Sequence, residues 1–261
     1  MEGQFRKEFR KATLKDLRNF TILADSLDNV DYCLPQVIPQ DVPSTEMDLV
    51  IAYTLLTNTS KNVHLSMMGS DLIDEVIEIG EIVSDRNGRT ESPVFSLGCC
   101  PNSPLVYPHD STERLIKAAK KGIPFLVVSG AASGATAPVT LAGTLVLQNA
   151  EILAGITLAQ IVNEGTPVIY GTFASPIDMA RGKQALGVPE ISILNVASSD
   201  LCRRYKIPLG YGTGGVSDSY YPDVQAGIEK ATTALFAVLG GVEVVHHGAS
   251  GILGAGRAAS Y

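Results

Sequence analysis

Five short segments hold most of the side chains able to do chemistry: LGCCPNS at 97–103, SGAASGAT at 129–136, YGTFAS at 170–175, GYGTGGVSDSYY at 210–221 and HHGASG at 246–251. Two glycine patterns suggest a cofactor loop. Gly210, Gly212 and Gly215 fit G-x-G-x-x-G, and Gly254, Gly256 and Ala259 fit its alanine variant. With 25 glycines in 261 residues, chance matches are expected. The first pattern is followed by Val216 to Pro222 before a helix can begin, and no acidic residue ends a second strand at the required offset, which argues against dinucleotide binding. No Gly-Lys-Ser/Thr occurs, so a P-loop is absent. Cys33, Cys99, Cys100 and Cys202 show no CxxC spacing, and neighbours such as Cys99 and Cys100 would point to opposite faces of a strand. They read as buried thiols of a reducing compartment rather than as metal ligands or disulfides. What remains is hydroxyl, phenol and imidazole chemistry, suited to binding.

A second group is helical. Thr140, Thr144, Gln148 and Glu151 fall at i, i+4, i+8 and i+11, so a helix places them in one polar stripe among apolar and small residues. Such a helix is expected to be buried on more than one side. It is long and apolar enough to suggest a membrane span, but Gln148, Asn149, Glu151 and Gln160 would each be costly in hydrocarbon. The amino terminus, MEGQFRKEFRKATLKDL, is charged throughout and lacks a signal core, so a cytoplasmic location is expected. A net charge of -7 disfavours nucleic acid and anionic membranes as partners.

The elements that must position these groups alternate along the chain. Strands are expected at Val63–Met68, Val94–Cys99, Pro124–Ser129, Pro167–Tyr170, Ile207–Tyr211 and Val242–His246, with a weaker one at Asp31–Leu34. Helices are expected at Leu14–Ser26, Glu46–Thr57, Asp71–Ser84, Thr112–Lys121, Pro138–Asn163, Pro189–Tyr205 and Pro222–Leu239. Repeated strand–helix units imply a parallel sheet, either doubly wound or closed as a (β/α) barrel of roughly 250 residues. Each of the five chemical segments follows a strand, and this even spread favours the barrel, whose carboxyl-end loops share one mouth. The chain is expected to form one domain over residues 1–261.

Six ordered blocks then narrow the reading: GATAPVTLAGTLVLQNAE, QIVNEGTPVIYG, DMARGKQALGVPE, RRYKIPLGYGTGGVSDS, PDVQAGIEKA and GASGILGAGRAASY. Together with RKATLKDLRNFTILADSLDNVDY and PQDVP upstream, they resemble the trimethylamine methyltransferase family from about Arg10 to Tyr261. The resemblance implies a TIM-type barrel that moves a methyl group from a methylated amine to the Co(I) corrinoid of a separate carrier protein. No tightly bound cofactor or metal is expected in the chain itself. One branch of the family uses pyrrolysine, and this sequence contains only the twenty standard residues. It therefore looks like the other branch, which acts on quaternary amines such as glycine betaine. A quaternary ammonium leaves as a neutral amine without gaining a proton, so attack on its methyl needs chiefly alignment and desolvation.

A methylated cation calls for aromatic faces and a negative potential nearby. Tyr170, Phe173, Tyr211, Tyr220 and Tyr221 all fall at or just after strand ends and form the expected substrate group, with Gln225, His246 and His247. One of the paired histidines would face the barrel axis and could hold a betaine carboxylate. Asp218 is a weaker candidate for the mouth, and Asp178 and Glu190 would shape loops or the entrance. Asp223 has a sufficient role in the first turn of a helix, and His64 reads as a core residue. Family members extend beyond this chain at both ends, so the expectation is a barrel lacking its last unit, with an open seam that favours a homo-oligomer. Two other classes stay open. One is a barrel enzyme binding phosphate with the loop Gly210 to Gly215, and the other is a non-catalytic binding or assembly protein.

Overall fold

A computed structural model describes residues 10–66, 69–86, 93–208, 210–219 and 223–246. The chain runs α1 (Leu14–Asp25), β1 (Tyr32–Cys33), α2 (Met47–Asn58), β2 (Asn62–Leu65), α3 (Ile73–Arg86), β3 (Phe95–Cys99), α4 (His109–Lys120) and β4 (Phe125–Ser129). It continues through β5 (Ala132–Ser133), α5 (Leu141–Val162), β6 (Val168–Thr172), β7 (Ser175–Asp178), β8 (Lys183–Gln184), α6 (Pro189–Arg204), β9 (Gly210–Thr213), α7 (Val224–Leu239) and β10 (Val244–His246). Local chemistry sets several of the starts. Thr13 and Asp16 form a reciprocal capping box on α1, Asp223 caps α7 by accepting from the Ala226 amide at 2.9 Å, and Pro189 opens α6 where no amide donor is needed.

Seven strands form one sheet in the order β1-β2-β3-β4-β6-β9-β10, every pairing parallel. Neighbours in space follow chain order without reversal, which is the winding of a barrel and not of a doubly wound sheet. The sheet curls. In a flat sheet β1 and β9 would stand about 24 Å apart, five strand spacings. Instead, the Tyr32 phenol of β1 is near enough to raise the pKa of Tyr211 on β9. The fold is an incomplete TIM-type barrel, a curled half-barrel jacketed by helices, in which β1 and β10 do not pair among the described residues.

Alternation along the strands assigns two faces. Phe95, Phe125, Val127, Val168 and Tyr170 point outward into the main core, where they meet Leu55, Ile73, Leu115, Ile152 and Ala159 of the helices. His64, Ser96 and Gly98 share the inner face: His64 Nδ1 lies 3.0 Å from Ser96 Oγ, and a Cβ added at Gly98 would come within 2.8 Å of the His64 ring. Glycine at 98 makes room for the imidazole.

Three features depart from the sequence reading. The strand expected at Ile207–Tyr211 begins later, at Gly210, because Lys206 turns the chain in the left-handed region (φ 57°). The Ile207 amide then closes α6 on Cys202 O at 3.1 Å instead of joining the sheet. Strands β5, β7 and β8 were not foreseen. They are two to four residues long, lack a β-branched run, and make a small separate sheet from the segments after β4 and β6. Finally, α5 is buried on one side only. Its polar residues Thr144, Gln148 and Glu151 face the sheet, while Val146 and Ile161 are exposed. By length and composition α5 could cross a membrane, yet it packs on β4 and β6 as one stave of the helical jacket.

Candidate active site

The inner face carries a ring pair at its carboxyl end. Tyr211 of β9 and His246 of β10 lie with centroids 4.8 Å apart and planes tilted by 35°. Register explains the meeting, since Tyr211 pairs with Val244 and His246 with Thr213, so both rings project from the same face of adjacent strands. Tyr211 is buried, and its hydroxyl is held well above the ordinary tyrosine range by burial first, then by Tyr32 and Cys100. Groups from β1, from the end of β3 and from β9 thus converge inside the curl. The Tyr32 hydroxyl, also raised by burial, has no hydrogen-bond partner among the described residues. Cys100 reaches solvent at the rim, although the protein around its thiol raises its pKa against the pull of Arg114.

Burial drives His64 down to about 4, so near neutral pH it is an uncharged imidazole held between Ser96 Oγ at 3.0 Å and Ser66 Oγ at 3.2 Å. Phenols and a neutral imidazole thus face the inside of the curl and offer aromatic faces to a cation, with the Arg114 guanidinium near Cys100 as the charge at its edge.

Behind the mouth, the α5 stripe fastens the loops. Thr144 Oγ1 bonds Ser133 Oγ at 2.7 Å and donates to Pro138 O, while Thr140 caps the helix. Gln148, fully buried, accepts from Thr172 Oγ1 at 2.8 Å and donates to Ser198 Oγ of α6. Glu151 accepts from Ser129 Oγ at the end of β4 at 2.6 Å, and from Ser103 Oγ and the Leu105 amide in the loop after β3, both at 2.9 Å. On the far side, the Asp218 carboxylate accepts the Leu186 and Gly187 amides at 2.9 Å each, and Glu229 accepts from Ser217 Oγ and the Asp218 amide. Asp218 therefore fixes the loop after β8 to the loop after β9.

Of the substrate residues expected from the sequence, Tyr211 and His246 are brought together. Tyr170 is not: its ring points outward and its hydroxyl donates to Asn149 Oδ1 of α5 at 2.8 Å, because it stands one position out of phase with Tyr211. Phe173 packs with Leu186, Ile191 and Val216 in a small satellite cluster. Gln225 lies exposed on α7, donating to Glu229 Oε1 at 2.8 Å. Tyr220, Tyr221 and His247 lie outside the described residues. Asp178 is held low by Arg181 within its own turn, and Glu190 sits in the first turn of α6, where the helix dipole favours an acid. The structure adds Tyr32 and Glu151. Tyr32 sat in the weakest strand of the sequence reading, and a period-two pattern has nothing to register in two residues.

The glycine-rich loop has committed its donors. The amides of Gly210, Thr213, Gly214, Gly215 and Val216 go respectively to Glu243 Oε2, Asn195 Oδ1, His246 O and, for the last two, Thr233 Oγ1. That disposition weighs against the phosphate-loop alternative, which needs free amides converging on an anion. A cleft of about 690 Å³ bounded by Asp25, Asn58 and Arg86 opens by the amino end of β2, opposite the mouth, and among the described residues no aromatic one lines it.

Sequentially wound parallel strands, helices outside and convergent side chains at the carboxyl ends define the TIM-type barrel class, in which those ends carry the active site. The model of the family described as trimethylamine methyltransferase (MTTB) matches residues 4–261, and the chain belongs to that family. It is 35% identical over 243 residues to a trimethylamine methyltransferase MttB of Desulfitobacterium hafniense strain DCB-2, covering 93% of this chain and 49% of that protein. It is 38% identical over 254 residues to a glycine betaine methyltransferase of Desulfitobacterium hafniense strain Y51, covering 97% of this chain and 53% of that protein. A third relative, trimethylamine methyltransferase MttB of Methanosarcina thermophila, is 36% identical over 239 residues, with 89% and 48% covered. The chain spans about half the length of these relatives.

Proposed function

We propose that this protein takes part in transferring a methyl group from a methylated amine, preferentially a quaternary one such as glycine betaine, to the Co(I) corrinoid of a separate carrier protein. The observation that carries the reading is the Tyr211–His246 ring pair, joined by Tyr32, inside the curl at the carboxyl ends of the strands. Aromatic faces attract a quaternary ammonium while stripping its water, and each face contributes on the order of 1 kcal/mol, more where it is desolvated. The relatives named for trimethylamine and for glycine betaine support the substrate class.

The corrinoid supplies the nucleophile when its carrier docks. The chain's own part is to bind the cation, align one methyl with the mouth and exclude water. Cys100 is exposed just past the carboxyl end of β3, so that rim is open to approach by a second protein. No proton donor is needed for a quaternary leaving group, in keeping with inner-face tyrosines held protonated and a neutral His64. The Tyr32 hydroxyl and His246 would receive the carboxylate of a betaine. A cytoplasmic site of action and association into oligomers belong to the same proposal, the latter supported by the apolar side chains Val224, Ile228, Leu235 and Leu239 exposed on α7.

Titration of the purified protein with glycine betaine, followed by methyl-Co(III) absorbance with Co(I) cobalamin, tests the reading. Binding together with methyl transfer supports it. Binding without transfer favours the non-catalytic class, and no binding of any methylated amine removes the pocket.

A further inference from the structure

Glu151 carries a charge that its fastening role does not require. Three residues away on the same stripe, Gln148 ties Thr172 to Ser198 with a neutral amide. Glu151 performs equivalent work on Ser129, Ser103 and Leu105 with a carboxylate. It is 1% exposed, all three of its partners are neutral, and among the described residues no lysine or arginine lies within ion-pairing distance of it. Removing a charge from water without a counter-ion is costly, so an uncompensated carboxylate at this depth calls for a reason. Its field reaches neighbouring groups, since it adds to the raised pKa of Tyr107.

We infer that Glu151 determines specificity for a cationic centre: its charge, standing behind the sheet at the carboxyl ends of β3 and β4, favours a ligand whose methylated atom is positively charged over one of equal shape whose methylated atom is neutral. The inference rests on the lumen being the ligand site proposed above. Glu151 does not touch the ligand. It is separated from it by the sheet, at a layer distance on the order of 10 Å, where a unit charge at an effective dielectric constant near 20 alters binding about tenfold. Its hydrogen bonds fix the loops at the same time, so the test must separate charge from shape.

Glycine betaine and 3,3-dimethylbutyrate make that separation. Both carry a carboxylate and three methyls on a central atom, nitrogen with a positive charge in one and neutral carbon in the other. Arg114 is a buried guanidinium near Cys99 and Cys100, and any pull it exerts on the shared carboxylate cancels from the ratio of affinities. Calorimetric titration of the wild type should show betaine bound more tightly than the carbon analogue. In Glu151→Gln, the ratio of betaine to 3,3-dimethylbutyrate affinity should fall about tenfold, because the carboxylate common to both ligands feels the lost charge alike and only the trimethylammonium tells them apart. A ratio that stays within about threefold of wild type would overturn the inference and leave Glu151 a fastener alone. If Glu151→Gln does not fold, Glu151→Asp takes its place: it keeps the charge, so the ratio of the two affinities should stay within about threefold of wild type even as both weaken. A collapse of that ratio with the charge retained overturns the inference equally. A wild type that binds neither ligand removes the pocket itself, and this inference with it.

Discussion

Tyr170 and Tyr211 stand on adjacent strands, in register opposite Gly210 and Gly171, and they live in different surroundings. Tyr170 points out into the helical jacket, 1% exposed, its hydroxyl bonded to Asn149. Tyr211 points into the curl, its ring against His246 and its hydroxyl among Tyr32 and Cys100. Both come a few residues after a proline and an aliphatic side chain, and both precede glycine, so the local sequence treats them alike. A single step of the pleat separates a tyrosine packed in the helical jacket from one that faces the inside of the curl.

If that division is right, the outer tyrosine should govern stability and the inner one affinity. Tyr170→Ala should cost about 3–5 kcal/mol by chemical denaturation, because it opens a cavity between β6 and α5. Betaine affinity of the protein that remains folded should stay within about twofold. A large affinity loss there would place Tyr170 in the site after all.

The inner face should betray itself through pH. His64 is held at about 4 in the fold, below the 6.5 of an exposed histidine, so the unfolded chain takes up the proton first. Its contribution is complete above pH 6.5 and disappears as pH falls toward 4, on the order of 3 kcal/mol in all. Unfolding free energies measured across that interval should follow this slope, and His64→Gln should flatten it. A wild type with no slope there would mean that the imidazole is solvated.

For Tyr211, shape and polarity separate cleanly. Tyr211→Leu should weaken betaine binding by roughly 5- to 30-fold, the loss of one desolvated aromatic face, whereas Tyr211→Phe should stay within about threefold. Equal losses would assign the role to the hydroxyl instead. The smallest effect falls on the outer face: Tyr170→Phe deletes only the bond to Asn149, for about 1 kcal/mol of stability and no change in affinity.

The α5 stripe shows how far sequence periodicity reaches. The spacing of Thr140, Thr144, Gln148 and Glu151 was readable as one face of a helix, and three of the four do face the sheet. Burial on the remaining sides was expected and is not found, since Val146 and Ile161 are exposed. Periodicity reports that a stripe differs from its surroundings. It does not report which side has a neighbour. Likewise Gln225 looked like a residue of the mouth and lies on the solvent side of α7, because the Asp223 cap sets the helix phase and turns Ala226 inward instead.

From the sequence alone came the alternation of strand and helix, the sequential barrel and the loops that would bear chemistry. Spacing of apolar residues and the positions of proline and glycine depend on interactions a few residues apart. The tertiary structure alone decided that Tyr32 meets Tyr211 and that Tyr170 turns its back on both. It also set Glu151 beneath the ends of β3 and β4. Those relations depend on strand phase, on the curl of the sheet and on the approach of residues up to 179 positions apart, close enough for Tyr32 to raise the Tyr211 hydroxyl, and no local pattern encodes them.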